Sequence, residues 1–454
     1  MHRIVKLSLL AFFGDRTQSL DKRPECDYSR VQMFEECPTR SVVDWEAFGE
    51  ELYKARAMVF RNDSMTGRKT LRDIIKLVTV TYGFHVGFEC PLAVTSALYS
   101  LALHMAKENK FQIAQALLFM GFVFVRDKGF YDCAPWPVMG WDMLLAGRFV
   151  NEIMEKSGSR LFNLNVSKDI VIIHPSKIAI VSVCAYAEDS PIKSVSRENH
   201  VMYASRHGYD IYHFENEIDI VGNDSAGMYT KDRNPFFWKV NAVQNVMDSH
   251  QYAWILWLDC DAFFMDPVRT IDSIIEMHQY QPSIVEDTCF EGSLYCGGGI
   301  SVDLIITVDS TGINNGVWLI RTSEWAKNFL SQWWRSDILQ GMGKAHNCSD
   351  QSTMQYELLH DNMIMAIDRV IQNSTVNLPY SLWPSQVRVA PQEYLQSFHQ
   401  ATAESVISRE WQPGDFIKHH PGCHYYKKAC QDMFFSAHNQ FLDRIENATI
   451  AKLT

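Results

Sequence analysis

Two carboxylates one residue apart, Asp259 and Asp261, close an unbroken apolar run from Tyr252 to Leu258. A charge-free run of that kind reads as a strand buried on both faces, as in a parallel sheet. Open α/β sheets bind ligands at the carboxyl ends of their strands, which is where this pair falls. Side by side, the two carboxylates repel each other unless a cation lies between them. A divalent ion with oxygen ligands relieves that repulsion, and such ions commonly bridge to phosphate oxygens of a substrate. An Asp-x-Asp also arises as a solvated turn, so the pair alone leaves both readings open.

Other residues suited to chemistry lie further along. Asn314-Asn315-Gly316 follows one apolar stretch and precedes another, Val317–Ile320, and Gly316 permits close backbone approach. A plain turn is the alternative there. Asp350-Gln351-Ser352 reads as a helix start, with Met354, Leu358 and Leu359 facing the core. Taken alone, Asp350 is a helix cap. His419 and His420 are adjacent in a late segment, where surface loop and metal ligand are both open readings. Cys296-Gly297-Gly298-Gly299 is a flexible turn that fits no phosphate-loop spacing.

The elements that must position these residues can be read from periodicity. Residues 1–45 carry little periodic signal, and from Asp44 to about Ser157 the pattern is helical. Ala93–Ala106 and Phe111–Val125, separated by Lys107-Glu108-Asn109-Lys110, read as an antiparallel helical hairpin that is apolar nearly all round. The texture then changes, and a domain boundary is expected within 160–175, giving a helical region 1–170 and an α/β region 171–454. Ile178–Cys184 reads as a strand, Val195–His207 as a helix and Tyr209–Phe214 as a second strand. Phe237–Ser249 reads as a second helix leading into the Asp259 strand. Strand, helix, strand, helix, strand is the pattern of a parallel α/β sheet with right-handed crossovers.

At 454 residues, with 47% hydrophobic and 21% charged residues, the chain has room for two or three domains and a sizeable core. Its net charge of −11 offers no basic stripe to phosphates, which argues against a nucleic-acid partner. Twelve tryptophans suit carbohydrate faces as well as buried cores. With 11 cysteines at least one thiol stays free; Cys184 and Cys260 sit in apolar runs where inert burial is expected. Cys26/Cys37, Cys289/Cys296 and Cys423/Cys430 are close pairs able to form small disulfide loops in an oxidising lumen. Sequons at Asn62, Asn165, Asn223, Asn347, Asn373 and Asn447 favour a secretory location. No stretch reaches the ~18 apolar residues that a membrane span needs. Met1–Gly14 reads equally as a poor signal peptide, the stub of an anchor, or an ordinary first helix.

Taken in order, six features resemble glycosyltransferase family 34 over roughly residues 174–440. They are His207-Gly208-Tyr209, Trp238-Lys239, Trp257–Ala262, Ile306–Asp309 with Gly312–Arg321, Asp350-Gln351-Ser352, and Gly414–Cys423. The resemblance implies a GT-A type, Rossmann-like mixed sheet flanked by helices, preceded here by the helical N-terminal region. It implies a metal-dependent retaining glycosyltransferase that moves a hexose or pentose from a nucleotide diphosphate sugar to an acceptor glycan, forming an α-linkage. Asp259, Asp261 and His419 would then bind Mn²⁺ or another divalent cation, with Ser182, Cys184 and Lys239 also on the nucleotide side. Gln351 and Asp350 fall at the sugar as catalytic candidates, and Asn314, Asn315, Gly316, Gly422 and His424 on the substrate side. Two departures stand out. Plant members carry a lysine after the late Gly-Cys, where this chain has His424; Lys418, Lys427 or Lys428 could supply the charge instead. The centre of the Asp-x-Asp is Cys260 where members usually carry Ala or Ser. The resemblance also implies the Golgi lumen, with homo- or hetero-oligomers with other glycosyltransferases as further partners. The alternatives are a non-catalytic scaffold subunit and a GT-A-like nucleotidyltransferase.

Overall fold

A computed structural model of the chain describes residues 91–107, 111–125, 177–186, 190–215, 235–249, 251–279, 302–309, 312–336, 350–360, 383–400, 409–421 and 428–453, with the isolated residues 51, 54 and 73. The expected hairpin is present as α1 (Pro91–Lys107) and α2 (Phe111–Val125). Thr95 near the start of α1 donates to the Gly121 carbonyl near the end of α2 at 3.3 Å, which sets the two helices antiparallel. The hairpin does not stand apart from the α/β part. The Gln355 side-chain amide donates to the Phe119 carbonyl, and the Phe119 and Trp383 rings meet at 6.0 Å. That docking accounts for apolar residues on faces a lone hairpin would leave wet. Among the described residues, no helix is long and apolar enough to cross a membrane.

The α/β part begins with β1 (Ile178–Val183), α3 (Pro191–His207), β2 (Asp210–Phe214), α4 (Trp238–Asp248) and β3 (Trp254–Leu258). Pro191 at its first turn suits the start of α3. Gly208, at φ 76°, ends the helix in the left-handed region and donates to the Ala204 carbonyl. Next come β4 (Ala262–Phe264), α5 (Ile271–His278), β5 (Leu304–Asp309), β6 (Gly312–Arg321) and α6 (Glu324–Arg335). Thr270 and Ser323 cap α5 and α6 by accepting from backbone N–H groups three residues on. The chain continues with α7 (350–360), β7 (Val387–Val389), α8 (Gln392–Leu395), β8 (Ser397–Phe398), β9 (Ile417–His419) and α9 (Lys428–Leu453).

The main sheet has the order β2-β1-β3-β6-β5-β7. Strands β2, β1 and β3 are mutually parallel, as the strand–helix alternation predicts, but β6 runs antiparallel to both β3 and β5, so the sheet is mixed. A second sheet has the order β4-β9-β8, and its β4 follows β3 after the Asp-x-Asp turn. Burial of β3 on both faces follows its alternation. Trp254, Leu256 and Leu258 join Tyr203, Phe264 and Ile271 on one side, while Ile255 and Trp257 join Trp318, Trp333 and Val243 on the other. Each such aliphatic residue contributes roughly 1.5–3 kcal/mol by leaving water.

Two readings of the sequence need correction. Asn314-Asn315-Gly316 is not a turn between strands; it lies inside the continuous strand β6, beside a register shift in β5 at Ile306/Thr307. Strand geometry wins there because both asparagine side chains find buried polar partners. Cys184 and Cys260 are not separate inert thiols but are joined in a disulfide. Cys430 is also disulfide-bonded, and Cys423, its expected partner, lies outside the described residues. So do the pairs Cys26/Cys37 and Cys289/Cys296, the segment Met1–Gly14, Gly422, His424 and every sequon except Asn447.

Candidate active site

The Asp-x-Asp turn sits where β3 gives way to β4, at the carboxyl end of the parallel strands. Its backbone is held from three sides. Asp259 N–H donates to the Gly316 carbonyl at 2.8 Å, His420 N–H donates to the Asp261 carbonyl at 2.9 Å, and the Ser196 hydroxyl donates to the Cys260 carbonyl. From the same face of α3, His200 reaches the Ala262 carbonyl at 2.7 Å and Asn199 both donates to and accepts from Phe264. These α3 residues stand in for a strand partner along β4.

Strand β9 pairs with β4, Ala262 opposite His419, and so carries the His419 ring to the turn. Its Nε2 lies 3.2 Å from Asp261 Oδ1 and 3.9 Å from Asp259 Oδ2. One donor atom from each of the three residues falls within 4.8 Å of the others. Two carboxylates and one imidazole form a donor set that suits Mn²⁺ or a similar divalent ion. Their convergence on a buried ring nitrogen fits the residues to such an ion. His420 plays no part in this set. Its ring packs edge-on against Phe263, 5.9 Å away, and burial pushes its pKa well below the ordinary histidine value. Lys418 alternates away from His419 along β9 and lies over the Trp411 ring at 5.0 Å, so it does not stand beside the carboxylates.

Lys239, in the first turn of α4, is buried and reaches across to the same turn. Its ammonium lies 3.3 Å from Asp259 Oδ1 and 2.8 Å from Asp350 Oδ2, and bonds Asn315 Oδ1 at 3.3 Å. Asn315 in turn donates to Asp350 Oδ2 at 2.7 Å. Burial lowers the Lys239 pKa, but Asp259 and Asp350 outweigh it and the net shift is upward, so the ammonium stays charged. Burial also raises the Asp259 carboxyl; Lys239 pulls it down, and the neighbouring Asp261 pushes it back up. Asp259 keeps 27% of its side-chain surface open to the site, yet the protein packed around it limits its hydration. A cation between the two aspartates would remove their repulsion. The indole of Trp257 donates to Asp259 Oδ1 at 2.8 Å and lies under the Lys239 ammonium.

The remaining expected site residues fall into three groups. Asn314 is occupied internally: its Oδ1 accepts from Gly316 N–H at 3.0 Å and its Nδ2 donates to Asp309 at 3.3 Å. Ser182 Oγ and Gln351 Nε2 are buried without a hydrogen-bond partner among the described residues. Cys184, expected beside the nucleotide, has its sulfur in the disulfide. Gly316 has a role that spacing only hinted at, because a Cβ there would come within 2.2 Å of His419 Cε1. Sequence reasoning missed Tyr186, just past the end of β1. Burial, then the charges of Asp261 and Asp259, push its hydroxyl above the usual tyrosine value, which places it beside the aspartate pair. An aromatic residue following a strand at its carboxyl end was the available signal. Trp257 was legible only as core.

Residues 167–431 match the family model described as the galactosyl transferase GMA12/MNN10 family. A Saccharomyces cerevisiae protein named probable alpha-1,6-mannosyltransferase MNN10 is 27% identical over 154 residues, covering 32% of this chain and 36% of its own. An uncharacterized alpha-1,2-galactosyltransferase of Schizosaccharomyces pombe is 20% identical over 152 residues, covering 32% of this chain and 42% of its own. The chain thus spans less than half the length of these curated relatives. A solved glycosyltransferase involved in glycosylation of the major capsid of PBCV-1 aligns with 57% of this chain and 98% of its own at 16% identity. Its TM-score is 0.34, too low to argue from.

Proposed function

The chain belongs to the galactosyl transferase GMA12/MNN10 family, and on that premise we propose that it is a metal-dependent retaining glycosyltransferase. It would move a hexose or pentose from a nucleotide diphosphate sugar to an acceptor glycan hydroxyl, forming an α-linkage. The observation that carries this reading is the meeting of Asp259 and Asp261, from the turn after β3, with His419 of the distant β9 in one donor cluster. A divalent ion held there would neutralise the diphosphate, which otherwise leaves poorly.

The chain's own residues account for the rest. The Lys239 ammonium holds Asp350 and Asp259 in fixed relation, and Asn315 holds Asp350 from the other side. An aspartate engaged by two donors is poorly placed to attack an anomeric carbon and well placed to orient sugar hydroxyls and favour a positively charged sugar centre. Gln351, with its amide nitrogen unpartnered, is the group we assign beneath that carbon. This arrangement supports front-face attack over two successive displacements. The bond from the anomeric carbon to phosphate oxygen breaks, the acceptor oxygen bonds the same face, and the acceptor proton passes to the departing phosphate. We place the protein in the secretory pathway, in the Golgi lumen, which the Cys184–Cys260 bond supports because disulfides persist in oxidising compartments. We assign residues 1–170 to a helical region whose hairpin α1–α2 packs against the transferase part through Gln355 and Trp383.

Titration of the purified chain with UDP and then GDP, with and without Mn²⁺, tests the proposal, followed by donor-sugar hydrolysis. The expected result is Mn²⁺-dependent binding of one nucleotide, lost in Asp261→Ala, with slow release of sugar. Failure to bind either nucleotide overturns the enzymatic reading.

A further inference from the structure

The Asp-x-Asp turn is tied to the sheet by a covalent bond that its sequence context did not announce. Cys184 and Cys260 are 76 residues apart, and β1 and β3 pair in parallel at that same offset, Ile178 opposite Trp254 and Val181 opposite Trp257. The two cysteines are therefore in register, three residues beyond the last paired position of the ladder. Their Cα atoms lie 5.1 Å apart, inside the about 4.4–6.8 Å that a disulfide spans without moving the backbone. Both residues are buried. Cys184 is itself fixed, its N–H donating to the Phe214 carbonyl of β2 at 2.8 Å. The bond thus runs from β2 through Cys184 to the residue between the two aspartates.

We infer that the Cys184–Cys260 disulfide is a positioning element of the metal site: it fixes the turn so that Asp259 and Asp261 present their carboxylates together to His419. The inference rests on the metal-dependent reading proposed above. Hydrogen bonds already hold the backbone of the turn at Asp259, Cys260 and Asp261, to β6, α3 and the end of β9, and the Cys260 side chain adds a covalent tie to the end of β1. The β1–β3 ladder has no paired position beyond Val181 and Trp257, so at Cys184 and Cys260 the disulfide takes over from ladder hydrogen bonds in joining the two segments. An aspartate pair on a loosened turn must be ordered by the ion itself, which weakens ion binding. Surrounding groups that orient metal ligands commonly shift affinity by about 10–100-fold. Cys260 is then not a neutral replacement for a smaller residue but half of a site-specific clamp.

The test uses the full chain, purified without reductant, and Mn²⁺ alone as the probe. Binding is followed by loss of the electron paramagnetic resonance signal of free aqueous Mn²⁺. Wild type is compared with Cys184→Ala/Cys260→Ala and with Asp261→Asn, and each melting curve is recorded without metal. The expected result is Mn²⁺ affinity about 10-fold weaker in the double alanine variant, at a temperature where it remains fully folded, and a broadened bound-Mn²⁺ spectrum. A role confined to stability would lower the melting temperature and leave affinity and spectrum unchanged, and that outcome overturns the inference. If the variant does not fold, wild type held in a thiol-free reductant under native conditions, with opening of the Cys184–Cys260 bond verified by peptide mass mapping, replaces it under the same criteria. Uptake of Mn²⁺ by wild type with equal affinity in the bond-free protein removes the clamp and keeps the metal site. No uptake by oxidised wild type removes the metal site, and the inference falls with it.

Discussion

Gly316→Ala should disable the metal cluster without replacing any of its ligands. An added Cβ would lie 2.2 Å from His419 Cε1, 2.8 Å from Nε2 and 2.9 Å from Nδ1, whereas ordinary contacts begin at 3.4 Å. Something must move by roughly 1 Å to restore normal carbon contact. Strand β6 cannot yield, because it is buried and bonded on both sides, to β3 and β5. The His419 ring is the softer partner, since it ends the three-residue strand β9 and can rotate toward the Phe398 ring 5.9 Å away. Rotation carries Nε2 off the 3.2 Å approach to Asp261. Metal–ligand distances tolerate only about 0.2 Å, so a displacement of this size removes the imidazole from the set.

The expected cost is about 1–3 kcal/mol of folding stability from overpacking, and a 10–100-fold loss of Mn²⁺ affinity. Calorimetric titration with Mn²⁺ and urea unfolding measure the two quantities. A double-mutant cycle with His419→Ala isolates the route. If the alanine acts only through the ring, Gly316→Ala costs almost nothing further in affinity once the ring is gone. Additive losses, or affinity within twofold of wild type in the single variant, would refute the reasoning.

Two further predictions concern buried charge. Lys239→Met leaves Asp259 and Asp350 without the ammonium between them, and breaking a buried pair from one side costs about 3–5 kcal/mol. Urea unfolding should register that loss, and Mn²⁺ should recover part of it; unchanged stability would contradict the buried-pair reading. His278 has its pKa pushed down to about 4 by burial and then by Arg388. Its folded value lies below the unfolded one, so its contribution is complete above about pH 6.5 and is lost as pH falls toward 4, by up to about 3 kcal/mol. In His278→Gln the gap between unfolding free energies at pH 7 and pH 4.5 should narrow, and an equal gap in both proteins would sink the assignment.

What could be read from the sequence was what local pattern determines. The order of β1, α3, β2, α4 and β3 follows from apolar runs and helical spacing, and the aspartates fell at the end of β3 because charge ended the run. The insertion of β6 between β3 and β5 was not legible, since antiparallel pairing there depends on partners far along the chain. Asn314-Asn315-Gly316 has turn composition, and Asp309, Asp350, Lys239 and the Gly316 N–H satisfy its side-chain amides within the strand. His419 stands 158 residues from Asp261 on a three-residue strand, so resemblance and not pattern brought it forward.

The same distinction explains why the cysteines were misread. Cysteines close in sequence invite pairing because short loops are visible, whereas Cys184 and Cys260 pair through a strand register that a sequence does not display. Read as separate residues, each is an inert apolar side chain. Once the register is known, they become the continuation of the β1–β3 ladder at the point where hydrogen bonding stops and the carboxylates begin. Lys239, Asn315 and Asp350 show the same pattern, three residues from a helix, a strand and a second helix that have no local periodic relation. The site is thus assembled from groups whose meaning depends on the sheet. Substitutions that alter sheet geometry near Gly316 or Cys260 should therefore change ion binding as strongly as substitutions of the ligands' immediate neighbours.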